Sequence, residues 1–209
     1  MANFEAKIRG MKHAYFCMLS VVGLLSLVGC SATKFVPDGQ YLLNKATVKV
    51  EDTHEVLSQD LRNYLQQKQN TEILGFWKLQ LGIYNTASQD TAKWTSRNAR
   101  KIGEPPVIFS EELTERSMQQ LENAMDNKGY FQAEIDTTKE VKDKKLNLTY
   151  HVTANTPYHI RNYTISFPNA DLQQIAASER FRLLHEGMRY DVDAMNQERQ
   201  RVASAMRRN

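Results

Sequence analysis

The sequence predicts an α+β fold in which a β-α-α-β-β unit is followed by the beginning of a second unit. Strand patterns open and close the first unit: β-branched and aromatic residues fill 41–50, and apolar residues alternate along 146–152. Between them, apolar residues recur at helical spacing over 53–69 and after Ser110. An internal repeat supports the second unit, because 109–128 align with 190–209 at a constant offset of 81 residues.

The N-terminal residues 1–29 have the pattern of a lipoprotein signal peptide. Basic residues precede an uncharged apolar stretch over 14–28, which is short for a membrane-spanning helix. The stretch ends in Leu27-Val28-Gly29-Cys30, which resembles a bacterial lipobox. The resemblance implies that Cys30 becomes the first residue of the mature chain and carries a covalent lipid. A disulfide is not expected, since the other cysteine, Cys17, would be removed with the signal.

The charge of the chain gives little support to a nucleic-acid partner. The full sequence has 27 basic and 24 acidic residues, a net charge of +3. Removal of residues 1–29 takes away three basic residues and one acidic residue, which leaves 24 and 23 and a net charge of +1. Much of the positive charge therefore belongs to the signal, and we expect no nucleic-acid binding.

The mature chain divides into a tether and two units. Residues 30–40 contain a Pro-Asp-Gly turn signal and no periodicity, which is typical of a tether. The first unit covers 41–156, with an insertion over 70–109 whose apolar pattern fits neither helix nor strand. The second unit covers 157–209 and is predicted to be incomplete.

Local signals predict where the elements of the first unit begin and end. Asp52 to Glu55 have the spacing of a capping box at the start of the 53–69 helix. Ser110 is a suitable N-cap for the next helix, in which Leu113, Met118, Leu121 and Met125 would form the apolar face, and Gly129 provides a left-handed stop. A strand over 130–141 and a turn at Asp143-Lys144 then lead into the last strand.

The second unit begins in the same way as the first. Alternating Tyr163, Ile165 and Phe167 predict a strand over 158–169, and helical segments follow at about 170–184 and 191–208. The sequence stops where a Gly-aromatic helix exit would come in the first copy. We therefore expect a fragment of a longer protein; the other interpretation is a complete small protein whose last helix docks on the first domain.

The β-α-α-β-β order and the helix exit Asn127-Lys128-Gly129-Tyr130-Phe131 resemble POTRA domains, the periplasmic repeats of the BamA/TamA outer-membrane assembly superfamily of bacterial surface antigens. GEPPVIF at 103–109 and TKFVPDGQYLL behind the lipobox look most like the lipoprotein-anchored, TamA-like branch. The resemblance implies helices packed on one face of a three-stranded mixed sheet. It also implies that this chain ends before the β-barrel of the family.

The resemblance further implies a protein-binding function. A sheet of three strands has two free edges, and an exposed edge in such domains pairs with extended client chains by β-augmentation. Here the second strand would supply that edge, with Phe131, Ala133, Ile135 and Thr137 as the candidate residues. Its charged residues fit simple protection against aggregation equally well.

The expected role is that of the lipid-anchored POTRA portion of a TamA/BamA-like factor at the periplasmic face of the outer membrane. Its partners would be the outer membrane itself, through the lipid, and unfolded outer-membrane protein clients or a periplasm-spanning partner. The alternative is a structural envelope lipoprotein that tethers or spaces a complex without binding clients.

The sequence does not favour an enzyme. Its histidines are scattered, and neither a phosphate-binding loop nor a nucleophile elbow occurs, so we expect no catalytic residues, no metal and no cofactor apart from the lipid on Cys30. The insertion has an aromatic and basic character that suits contact with headgroups or a partner, carried by Trp77, Trp94, Arg97, Arg100 and Lys101. The favoured interpretation for the aromatic and apolar residues is that they enlarge the hydrophobic core; these are Phe76, Trp77, Leu79 and Leu81.

Overall fold

The computed structural model describes residues 32–75, 77–88, 92–164, 166–167, 169–170, 173–174 and 182–208. The predicted signal peptide, its lipobox and Cys30 lie outside the described residues. Contacts divide the chain into two compact units, which are not the two repeat units predicted from the sequence. One lies within Met1–Lys45, Lys68–Phe109 and Glu140–Asn147; the other is formed from Ala46–Gln67, Ser110–Lys139 and Leu148–Asn209.

A three-stranded mixed sheet is the centre of the fold, as predicted. It consists of β1 (Leu42–Val50), β2 (Glu134–Lys142) and β3 (Lys145–Thr153), in the order β1-β3-β2. β2 and β3 form a hairpin through Asp143 and Lys144, which both have positive φ, as a type I′ turn requires. β1 runs parallel to β3, because the N–H of Leu42 donates to Lys144 and that of Glu51 donates to Val152 further along.

The helix predicted over 53–69 is much shorter in the structure. It is limited to α1 (Ser58–Leu61) and a 3₁₀ turn at Arg62–Tyr64. The capping box does not form, because the Asp52 carboxylate accepts the N–H groups of Ala154 and Asn155 instead. Beyond the turn, the N–H of Gln66 donates to the Ser117 hydroxyl at 3.0 Å, so it does not continue a helical ladder.

The helix predicted from Ser110 is confirmed, together with both of its ends. Within the described chain, α2 is Leu79–Thr86, α3 is Trp94–Ile102 and α4 is Glu111–Asn127. The Ser110 hydroxyl accepts the Leu113 N–H at 3.4 Å. At the other end, the N–H groups of Gly129 and Tyr130 donate to Asp126 and Met125, both at 2.9 Å. This is a Schellman motif, which requires the φ of +88° found at Gly129.

The core lies between α4 and one face of the sheet. All four apolar residues predicted on one side of β3 are buried: Leu146, Leu148, Tyr150 and Val152. On α4, Leu121 and Met125 are buried as predicted, but Thr114 and Ser117 take the places expected for Leu113 and Met118. Their hydroxyls donate to backbone carbonyls one turn earlier, Ser110 and Leu113. Burying these small polar residues is therefore inexpensive.

The insertion contains two short helices, α2 and α3, closed by a polar stem. The buried Asn70 side chain donates to the Pro105 carbonyl at 2.7 Å and accepts the Val107 N–H at 3.1 Å. The next residue, Thr71, donates its N–H to Glu104 at 2.9 Å. A Cβ on Gly103 would lie 2.4 Å from the Tyr84 nitrogen, so the end of α3 touches α2 directly.

The described part of the predicted tether packs against the insertion. Val36 is buried with Leu42 and Leu81, and Ala32 and Ile108 border this cluster. Lys34 donates to the carbonyls of Asn85 and Ala87 at the end of α2, at 3.0 and 2.8 Å. From Ala32 onward these residues are therefore held by side-chain contacts.

The second unit repeats the opening of the first. Its helix α5 (Val192–Arg208) has the 17 residues of α4 and begins 81 positions later, which confirms the predicted offset. Its N-cap works in the same way, since Asp191 accepts the Ala194 N–H at 3.0 Å.

Backbone pairs at the start of each unit also match. Leu42 bridges Ile108 in the first unit, and His159 bridges Arg189 in the second. In the second unit, backbone hydrogen bonds join Tyr158 to Tyr190 and Ile160 to Met188. The described residues of the strand predicted over 158–169 form this isolated bridge and no longer ladder. Of the segment predicted as helical at 170–184, residues 170, 173 and 174 are helical and 182–184 are not; the others lie outside the described residues.

Candidate functional site

The outer edge of β2 is the open edge of the sheet in the described part of the chain, where no strand is paired with it. In a two-residue hairpin the flanking residues exchange hydrogen bonds, so Lys142 pairs with Lys145. The even-numbered residues of β2 then direct their main-chain groups toward β3. The amides of Ile135, Thr137 and Val141 point outward, toward any added strand.

The opposite edge of the sheet is partly closed. The Leu43 N–H donates to the Val107 carbonyl, and the Phe109 N–H donates to the Tyr41 carbonyl, both at 2.8 Å. The expectation that both edges are free is therefore wrong for the start of β1. Residues 107–109 are the end of the insertion, so the same segment that closes its stem also covers this edge.

The structure places the four predicted edge residues in two groups. Ile135 and Thr137 belong to β2; Ile135 is only 8% exposed, and its side chain lies on the buried face. Phe131 lies in a turn and Ala133 immediately precedes the strand. The proposed edge therefore begins at Glu134, three residues later than the predicted limit.

The solvent side of β2 carries polar and charged residues. Glu134, Asp136 and Glu140 are exposed, and they alternate with residues of the other face. The ring of His151 on β3 links the strands on this side: it lies 3.0 Å from the Thr138 hydroxyl and 2.6 Å from the Glu51 carboxylate. These contacts hold the sheet together, and among the described residues no strand pairs with the outward amides of Ile135, Thr137 and Val141.

The Gly129-Tyr130-Phe131 exit is a joint between α4 and the segment that follows the sheet. The Gly129 carbonyl accepts the Tyr158 N–H at 2.8 Å, and the Tyr158 carbonyl accepts the Tyr190 N–H at 2.8 Å. The Phe131 ring packs against Tyr158 and Tyr190, with centroids at 5.3 and 5.1 Å. Phe131, predicted as an edge residue, thus contributes to this joint.

A polar cluster behind the joint was not predicted from the sequence. Arg189 donates to the Glu55 carboxylate at 2.6 Å and to the Tyr130 hydroxyl at 3.2 Å. The same hydroxyl donates to Glu55 at 3.2 Å, and the guanidinium lies 5.4 Å from the centre of the Tyr130 ring. The three side chains are far apart in sequence, and only the Gly-Tyr-Phe motif indicated that this region matters.

The described residues contain no group of three or more His, Cys, Asp or Glu side chains placed to hold a metal ion. In the same part of the chain, no helix combines the length and apolarity needed to cross a bilayer.

The fold defines a small α+β domain with an open sheet edge, and the family comparison gives it a class. The family model described as "POTRA: Surface antigen variable number repeat" matches residues 46–155, just over half of the chain. The chain belongs to this family. The match contains α1, the insertion, α4 and the hairpin, and it ends just before the joint with residue 158.

Comparisons with individual proteins add less. A crystal structure of Haemophilus influenzae BamA POTRA3-5 aligns with 81% of this chain and 88% of its own, at 14% identity and a TM-score of 0.28. The curated proteins contain no match to the chain.

Proposed function

We propose that this chain is the lipid-anchored, periplasmic POTRA portion of an outer-membrane protein assembly factor, and that it binds client or partner chains along β2. POTRA domains are associated with such factors, and the family match carries this part of the proposal. The observation that carries the binding mode is the unpaired outer edge of β2 in the described chain. Main-chain pairing suits unfolded clients because it does not depend on side-chain identity.

The binding test separates the main chain of β2 from its side chains. Thr137→Pro removes an outward N–H and leaves the bonds to β3 intact, whereas Thr137→Ala keeps the N–H and removes the hydroxyl. The probe is a fluorescein-labelled ten-residue peptide of alternating apolar and polar residues, the pattern of an outer-membrane strand. We expect the proline variant to bind about tenfold more weakly by fluorescence anisotropy, and the alanine variant to bind as the parent does.

Each result of this experiment has a distinct meaning. Equal binding by all three proteins would place the client elsewhere and reject the edge. No binding by the parent chain would favour the scaffold role, in which the charges of β2 serve as protection against aggregation. Circular dichroism of the proline variant verifies that the hairpin remains folded.

The anchor is tested separately through the two cysteines, Cys17 and Cys30. In cells given labelled palmitate, Cys30→Ser should abolish incorporation of the label, and the protein should leave the membrane fraction. Cys17→Ser is the matched control and should retain both, because the lipobox assigns this residue to the cleaved segment. If both variants incorporate the labelled palmitate, Cys30 is not the attachment site.

A further inference from the structure

The outer face of α3 combines exposed apolar residues with unpaired positive charge. Trp94 and Ile102 are 69% and 66% exposed, among the most exposed large hydrophobic side chains of the described residues. Arg97 and Lys101 fall three and seven positions after Trp94, so helical geometry places them on the same face. No ion pair involves either cation among the described residues. The sequence has no acidic residue from Ala92 to Gly103.

The inner face of α3 shows that this exposure is part of a defined packing arrangement. Ser96 is buried, and its hydroxyl accepts the Ser88 N–H at 3.1 Å. Arg100 turns inward, donates to the Ser88 carbonyl at 3.2 Å and lies 5.4 Å from the centre of the Phe35 ring. One cation of the helix is therefore used for packing, while Arg97 and Lys101 on the other side are exposed.

The compact unit that contains α3 also contains Lys34 and Phe35, which lie close in sequence to the predicted lipid site. Phe35 packs edge-on against Tyr84 of α2 with centroids 5.5 Å apart, and Lys34 donates to the end of α2. The held residues begin at Ala32, two positions after Cys30. Two residues span at most about 7 Å, so a lipid on Cys30 would place this unit directly at the bilayer surface.

We propose that α3 is a membrane-surface helix. Trp94 and Ile102 enter the interface between headgroups and acyl chains, and Arg97 and Lys101 bind the phosphates of anionic phospholipids. Amphipathic helices with aromatic residues beside a basic face bind membranes in this way. Its approach to the bilayer rests on the lipid anchor proposed above, whereas its exposed side chains and its charge do not depend on that anchor.

The experiment follows Trp94 directly. The chain contains two tryptophans, so Trp77→Phe leaves Trp94 as the only one. The full chain is added to vesicles of brominated phosphatidylcholine, with or without phosphatidylglycerol. We expect Trp94 fluorescence to be quenched about twofold more with the anionic lipid, and the emission to shift to shorter wavelength.

Charge-matched variants test the headgroup contact. Arg97→Glu with Lys101→Glu should reduce quenching to the level found without phosphatidylglycerol. Arg62→Glu with Lys142→Glu changes the net charge equally at exposed positions outside α3 and should leave quenching unchanged. If the glutamate pair alters the circular dichroism spectrum, Arg97→Gln with Lys101→Gln replaces it and should reduce quenching in the same direction.

Three results would overturn the proposal. In the first, Trp94 remains unquenched on all vesicles, as expected for a surface that binds a protein partner. In the second, both charge-reversed pairs lose quenching equally. In the third, quenching is independent of phosphatidylglycerol. The palmitate assay on the same samples keeps the two proposals apart. Label without quenching would reject the membrane-surface helix alone, and quenching of a parent chain that carries no label would reject the anchor alone.

Discussion

At the scale of single residues, Gly129 meets two requirements at once. Its φ of +88° closes the Schellman motif, and a Cβ at this position would lie 2.6 Å from the Tyr190 carbonyl oxygen. Gly187 has a similar φ of +84°, but a Cβ added there would meet nothing within 4 Å. Comparing substitutions at Gly129 and Gly187 therefore separates the cost of a left-handed backbone from the cost of a steric conflict.

We expect Gly129→Ala to lower the free energy of unfolding by about 3 kcal/mol, from a left-handed backbone and a steric conflict together. Gly187→Ala should cost only about 1 kcal/mol, since it incurs the backbone term alone. Urea denaturation of both variants measures the difference. Equal losses would show that the contact with Tyr190 contributes nothing to stability.

Asp52 was predicted to cap a helix, but in the structure its side chain binds the backbone that follows β3. Its carboxylate accepts the N–H groups of Ala154 and Asn155, each at 2.7 Å. The bond from Ala154 is the main cause that lowers the pKa of Asp52 below its usual value of 3.8, and partial desolvation opposes it. A lowered folded-state pKa means that this stabilisation is complete above the unfolded value and is lost as pH falls through the folded value.

Asp52→Asn should therefore destabilise the protein near neutral pH by about 1 kcal/mol, a value that allows for solvent screening at this exposed position. The difference between parent and variant should shrink as pH is lowered below about 4. Chemical denaturation at several pH values measures this difference. A gap that stays constant down to the acid limit would mean that the carboxylate charge is not involved.

At the scale of elements, the insertion depends on its stem more than on its helices. Asn70 is 1% exposed and satisfies both the Pro105 carbonyl and the Val107 amide, which continue into the segment covering β1. Asn70→Ala removes the side-chain partner of both groups, so two hydrogen bonds are lost. We expect a loss of about 2–3 kcal/mol and faster hydrogen exchange at Val107, measured by mass spectrometry.

A second insertion residue serves as the comparison for Asn70. Thr71→Ala retains the N–H that donates to Glu104 and lies at an exposed position, so it should change stability by less than about 0.5 kcal/mol. If Asn70→Ala proved equally mild, the stem would not be what closes the insertion.

The elements also differ in how far the sequence predicted them. The limits of α4 and the hairpin turn followed from local signals: the Ser110 cap, Gly129 and two turn residues with positive φ. The helix predicted over 53–69 is shorter in the structure, because hydrogen bonds to distant residues replace its N-cap and its intrahelical backbone bonds. For the insertion, Leu81 is buried as favoured, whereas Leu79, Trp77 and Trp94 are exposed, and Phe76 lies outside the described residues.

At the scale of the whole molecule, the joint at Gly129-Tyr130-Phe131 links the family-matched region to the residues that follow it. Phe131 provides the aromatic contacts with Tyr158 and Tyr190. Phe131→Ala should remove them without altering the hairpin. We expect limited proteolysis to cut within 156–161 several-fold faster, because local opening there costs less free energy.

Tyr64→Ala is the matched control for this experiment. Tyr64 is an exposed aromatic residue in the 3₁₀ turn, away from the joint in sequence, and its loss should leave the cleavage pattern unchanged. Faster cleavage at 156–161 in both variants would indicate general destabilisation and would contradict a specific role for Phe131.

The sequence alone determined the α+β class, the repeat at an offset of 81, both ends of α4 and the start of α5. These features depend on periodicity and caps, interactions between residues a few positions apart. Only the tertiary structure decided that Asp52 binds the end of β3, that residues 107–109 cover β1, and that Arg189 joins Glu55 and Tyr130. The physical reason is that a polar group has many possible partners of similar strength. Packing of distant segments selects which of them it meets.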